Sequence, residues 1–229
     1  YIIINGELMS SGKNLALMSD DGTVTVPETV TKIGEGAFSG VEGLKTIVIP
    51  STVKEIAANA FSYNTTLENV VMQEGVTKIG DSAFIGCSKL QKVQMPQTVN
   101  ELGTLVFSEC TSLISMDLSD NILELKTGVF NNCSNLKELK LPKKLVNMRD
   151  SVFRGCEKLS SLYIPASVTY LNSSAFSQTS SLTDIQIDSN NKVYTVSNGI
   201  IYNKNKTKIV FLSAFNKDIT SLKIEDTVE

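Results

Sequence analysis

The sequence predicts a solenoid, an elongated stack of 23-residue coils in which each coil adds one short strand to a parallel sheet. Three observations carry this. Phe38, Phe61, Phe84, Phe107, Phe130, Phe153 and Phe176 recur every 23 residues without a slip. A leucine follows each Phe by six residues, from Leu44 to Leu182. Each coil then closes on an apolar alternation such as Val93-x-Met95, the period of a strand with one buried face. Self-similarity at a fixed period of this length is the mark of stacked repeats.

The first element is a hairpin-bearing end, residues 1–26. Asn5-Gly6-Glu7-Leu8-Met9 is followed by a polar turn at Ser10 to Lys13 and an apolar run from Leu15 to Met18. That order predicts a β-hairpin turning at Ser10 to Lys13. Val24-x-Val26-Pro27 then enters the phase of the repeat.

Residues 27–187 hold seven coils. Counted from the Phe, positions −8, −5, −1, 0, +3, +6, +9 and +11 are apolar throughout, except at Asn64 and Thr179. A stacked core accounts for that regularity, because no coil can bury its apolar face alone. The inward strand pairs include Ile47/Ile49, Leu139/Leu141 and Leu162/Ile164. Pro50, Pro96, Pro142 and Pro165 follow, at strand exits where the missing N–H costs no ladder bond. Gly34, Gly80 and Gly103 lie four residues before the Phe and predict a tight turn with positive φ.

Residues 188–229 repeat the hairpin. Asn198-Gly199-Ile200-Ile201-Tyr202 matches the first module, with a turn at Asn203 to Lys206 and a run at Ile209 to Leu212. Leu222-x-Ile224-Glu225 returns to phase, and Asp226-Thr227-Val228 aligns with Glu28-Thr29-Val30 at the start of a further coil. The three segments are read as one continuous domain, with the hairpins as lids on exposed coil ends and a functional insertion as the alternative.

Composition removes whole classes of function. The 229 residues carry 21 basic against 24 acidic side chains, for a net charge of −3, and contain no histidine. Ser-His-Asp and Cys-His triads and imidazole zinc sites are therefore excluded. Nucleic acid is not an expected partner, because phosphate binding needs a basic excess. No stretch approaches the roughly 20 apolar residues of a membrane helix, so this segment is not expected to insert in a membrane. Asp188-Ser189-Asn190 opens like a calcium loop, yet Val193 and Gly199 stand where such a loop needs Gly and Glu. No catalytic residue, metal site or cofactor is predicted.

Cys87, Cys110, Cys133 and Cys156 occupy one repeat position, three after the Phe, in successive coils. Val41, Asn64 and Thr179 fill the same position elsewhere, so the slot calls for a small side chain. A ladder of buried thiols is expected, with disulfides between neighbouring coils as the alternative. Metal ligation would need convergent ligands, which a straight ladder does not offer.

The run from Leu90 to Phe107, together with Ala83-Phe84-x-x-Cys87-x-x-Leu90 just before it, resembles leucine-rich repeats. More narrowly, it is similar to the 23-residue BspA-like class of bacterial and some protozoan surface proteins. The resemblance implies a horseshoe-class solenoid, with short parallel strands on one face and turns or short helical pieces on the other. It also implies a non-catalytic binding module, extracellular or at the cell surface. Its expected partner is a protein or glycan, including host surface or matrix components. A structural stalk displaying other domains is the alternative. Side chains eight and ten after the Phe are expected to point outward and line the concave strand face. Val48, Val71, Lys92, Gln94, Asp117, Glu138, Lys140, Tyr163 and Gln186 are the candidate binding residues there, with Ser115, Ser161 and Asp184 between them.

Overall fold

Each coil lays down two strands rather than one. The structure, a computed structural model, describes residues 2–9, 17–212, 224 and 226–228. It opens with β1 (Ile2–Ile4) and β2 (Glu7–Met9). The coils then alternate between the two kinds of strand. The first half runs β3 (Thr23–Thr25), β4 (Lys32–Ile33), β5 (Thr46–Ile49), β6 (Glu55–Ile56), β7 (Asn69–Met72), β8 (Lys78–Ile79), β9 (Lys92–Gln94) and β10 (Glu101–Leu102). The second half runs β11 (Ser115–Asp117), β12 (Glu124–Leu125), β13 (Glu138–Lys140), β14 (Asn147–Met148), β15 (Ser161–Ile164), β16 (Tyr170–Leu171) and β17 (Asp184–Ile187). β18 (Tyr194–Ser197), β19 (Ile200–Asn203) and β20 (Ile209–Leu212) follow.

The odd-numbered strands β3 to β17 form the expected face, pairing in parallel one coil apart, as in Ile47↔Val70 and Met116↔Leu139. The even-numbered strands form a second parallel ladder around the corner, as in Lys32↔Glu55 and Glu124↔Asn147. The single-strand reading missed this ladder because two residues are too few to show a period. Among the described residues there is no helix. The side remote from the strand face is built of turns, so the short helical pieces are not found.

The inward positions hold. All are buried except Val41 and Ile187, which are half-buried. The seven Phe rings form a continuous pile, with successive centroids 5.1 to 5.9 Å apart and planes within 4 to 13°. Offset stacking of this kind adds to the roughly 1.5–3 kcal/mol that burying one such ring contributes. Phe211 on β20 extends the pile past Phe176 at 4.9 Å with a tilted ring. It lies out of phase with the repeat, so spacing could not find it.

Two expectations about the backbone are corrected. Gly34, Gly80 and Gly103 do not have positive φ. A Cβ on Gly80 would stand 2.6 Å from the Ala58 nitrogen, and one on Gly103 2.4 Å from the Asp81 nitrogen. These glycines let one coil's backbone press on the last. The left-handed residues lie two before and two after the Phe, for example Asn59, Ser82, Leu105, Tyr63, Glu109 and Asn132. Residues at both positions donate their N–H forward, as in Leu105 to the Thr127 carbonyl and Glu109 to the Asn131 carbonyl. Hydrogen bonding to the next coil thus offsets a conformation that ordinary residues avoid.

The hairpins also turn earlier than expected. Asn5-Gly6 and Asn198-Gly199 are themselves the tight turns, with φ of 51 and 79° and of 51 and 74°, the conformation that Asn-Gly suits best. They join β1 to β2 and β18 to β19, each antiparallel. β19 then pairs with β20 across the predicted second turn. The corresponding turn at Ser10 to Lys13, the start of the run at Leu15, and Leu222 and Glu225 lie outside the described residues. β2 is paired in parallel to β4, which joins the first hairpin to the stack.

Candidate functional site

The strand face changes character along its length. β5, β7, β15 and β17 are four residues long, and most of their inward residues are β-branched: Ile47, Ile49, Val70, Ile164, Ile185 and Ile187. β9, β11 and β13 between them are three residues long and point Val93, Met95, Met116, Leu118, Leu139 and Leu141 inward. Met and Leu, which lack a branch at Cβ, fit a pleated surface less well than Ile and Val. The ladder is correspondingly interrupted, with β3-β5-β7-β9, β11-β13 and β15-β17 as separate hydrogen-bonded groups. Beneath the interruptions Val93, Met95 and Leu139 are 8 to 9% exposed, whereas Ile47 and Ile49 are fully covered.

An open groove of about 1270 Å³ lies over this stretch. It brings together Lys92, Gln94, Asp117, Glu138, Lys140, Tyr163 and Gln186, all exposed, with Ser115, Ser161 and Asp184 between them. Val48 and Val71 share the sheet but not the groove, and both are half-buried. Asn69, Gln91 and Ile114 complete its edge. Gln91 and Ile114, seven after their Phe, were outside the eighth-and-tenth rule. They enter from the connections that lead into β9 and β11, one residue before each strand begins.

Tyr163 is the exposed aromatic ring of the groove, 52% accessible. Its hydroxyl donates to an Asp188 carboxylate oxygen at 2.7 Å. That bond raises the Tyr163 pKa and lowers that of Asp188, whose other oxygen accepts the Asn190 N–H. Asp188, the opening of the rejected calcium loop, is thus a turn cap and a brace for the ring.

The cysteines lie behind this face. All four are free and fully buried. Each thiol donates to the carbonyl of the Phe one coil back: Cys87 to Phe61, Cys110 to Phe84, Cys133 to Phe107 and Cys156 to Phe130, at 3.0 to 3.3 Å. Asn64 does the same to Phe38, and Thr179 donates to its own Phe176. From coil two onward the slot therefore wants a small donor, not merely a small side chain. Burial pushes the Cys87 and Cys156 thiols up to about 12 and those of Cys110 and Cys133 well above their ordinary range.

The BspA-type leucine-rich repeat region matches residues 20–135 and 101–226, as six copies. The chain belongs to the BspA-type leucine-rich repeat family. Solved structures of similar fold agree. A leucine-rich cell surface protein of Faecalibacterium prausnitzii is 27% identical with a TM-score of 0.74, over 83% of this chain and 55% of that one. A Treponema pallidum leucine-rich repeat protein is 30% identical with a TM-score of 0.59, over 60% and 67%. The pneumococcal vaccine antigen PcpA, 22% identical, shares the fold with a TM-score of 0.60, over 94% and 51%. This chain thus spans about half the length of the first and last of these proteins. No curated protein matches it. Among the described residues no helix of this BspA-type chain is long and apolar enough to cross a membrane.

Proposed function

We propose that this chain is a non-catalytic module, displayed at the surface or secreted, that recognises an extracellular macromolecule through its strand face. One observation carries the reading. Successive coils each contribute exposed polar side chains to a single open groove. Such a surface accumulates contact area without a deep pocket, which suits a macromolecule better than a small molecule. The cell surface description of the Faecalibacterium protein supports the location. The end hairpins serve as lids for the apolar pile, a role consistent with Phe211 closing over Phe176.

The test is a binding screen against host matrix proteins and glycans, followed by Tyr163→Ala and Lys140→Glu. Both variants should lose affinity for whatever partner is found. Retained affinity in both, with loss on a change among the turns opposite the strand face, would place the interface elsewhere.

A further inference from the structure

We infer that the groove is built for a neutral, linear oligosaccharide running along the stack axis. This inference rests on the reading that the strand face binds a macromolecule, and narrows the ligand to one class. Its first support is the chemistry at the groove's centre. The desolvated core of a protein interface is depleted in Lys, Asp, Glu and Ser, and enriched in aromatic residues, Met and Arg. Here the exposed lining includes Lys92, Ser115, Asp117, Glu138, Lys140 and Ser161, with no arginine, and the two methionines of the lining, Met95 and Met116, are buried beneath it. Carboxylates, amides and ammonium groups in mixed order are instead what a run of hydroxyls needs, since each hydroxyl both donates and accepts.

Charge excludes the polyanions. Asp117, Glu138 and Asp184 line the groove beside Lys92 and Lys140. The carboxylates offset the lysines, so nucleic acids and sulfated glycans meet no net attraction.

Tyr163 supplies the remaining component. Its ring is open to solvent, while the hydroxyl is tied to Asp188 at 2.7 Å. A ring held at its polar end offers a fixed flat face, and the C–H face of a pyranose can lie on it at little ordering cost. Ile114, 50% exposed at the groove's edge, is a second apolar contact.

Spacing favours a sugar chain over a peptide. Paired parallel strands of successive coils stand about 4.8 Å apart on the groove face, and the Phe rings in the core behind them 5.1 to 5.9 Å. A linked pyranose advances by about one such step, so each ring meets the side chains of one coil. An extended peptide advances about 3.4 Å per residue and drifts out of step. The groove's strands, from β9 to β17, therefore offer about five ring positions.

The experiment uses the intact chain on an array of neutral linear oligomers of about two to eight rings: β-linked glucose, β-linked N-acetylglucosamine and α-linked mannose. Sulfated heparin fragments and deglycosylated matrix proteins form separate arms. A neutral oligomer should be retained, with affinity rising to about five rings and then levelling. Retention should survive a change from about 50 to about 500 mM salt, because no net charge is neutralised. Tyr163→Ala should weaken binding at least tenfold with an unchanged urea midpoint, and Asp188→Asn should weaken it less. Retention of only the heparin or protein arm overturns the glycan inference while leaving the strand face as a binding surface. Affinity that ignores chain length, or that Tyr163→Ala leaves intact, also overturns it. No retention on any arm overturns both readings.

Discussion

The smallest unit that matters is a thiol facing a carbonyl. Cys110 is fully buried, donates to Phe84, and holds its proton far more tightly than a free thiol. Cys110→Thr keeps a donor in the slot, as Thr179 does naturally, while Cys110→Val replaces it with a methyl group. The Val variant should be less stable in urea by about 1 kcal/mol. Thiol reagents should modify all four cysteines only after unfolding, because the thiolate is the reactive form. The pH dependence follows from the direction of the shifts. The folded thiols bind protons more tightly than unfolded ones, whose ordinary value is 9.0. Their contribution is whole below about pH 9 and falls as pH rises above it, for Cys87 and Cys156 until their folded value of about 12 is reached, since the unfolded chain ionises first. Urea midpoints at pH 7.5 and 10.5 check this; equal midpoints would contradict it. Glycine separates two causes at the same scale. Gly40→Ala meets nothing within 4 Å but has φ of +62°, and should cost about 1 kcal/mol. Gly80→Ala would drive Cβ into the Ala58 backbone and should cost more than about 3 kcal/mol.

Among the elements, the strand face is uneven for a reason written in its inward residues. Where Ile and Val give way to Met and Leu, strands shorten and the ladder breaks, and the groove lies over the breaks. Amide exchange should therefore be faster at Ser115–Asp117 than at Thr46–Ile49, by an amount set by local opening rather than global unfolding. Uniform protection along the face would contradict this origin of the groove. The second ladder is pinned differently. Its outward side chains alternate in charge from Glu7 through Lys32, Glu55 and Lys78 to Glu101, with Lys32 on Glu7 at 3.1 Å and Glu101 between Lys78 and Lys126; further along, Arg149, just past β14, lies on Glu124 and over the Tyr170 ring. Each exposed pair contributes little to stability, but opposite charges one coil apart disfavour a slipped register. This ladder was not legible beforehand, because its strands are too short for a period and its ion pairs join residues about a coil apart. The Asn-Gly turns were visible as matching motifs but were assigned to the preceding stretch, since β18 is only four residues long and its alternation, Tyr194-Thr195-Val196-Ser197, lies before the matching motif on which the hairpin was read.

For the whole molecule, the 23-residue phase is the governing fact, and it was legible because one Phe and one Leu per coil never slip. The outward face followed from the same phase, which is why seven of the nine candidate residues share the groove. Gln91, Ile114 and the Asp188 brace were not legible, since they depend on where the chain bends and not on the period. In a stack, each coil is held by its neighbours, so one defect in the Phe pile is felt across two interfaces. The most direct measurement is a pair of urea melts. Phe107 is fully buried between Phe84 and Phe130, and Phe107→Ala should cost about 3–5 kcal/mol. Lys92, exposed on the strand face, should change stability by no more than about 0.5 kcal/mol when replaced by Ala. Equal losses from the two substitutions would contradict the stacked core.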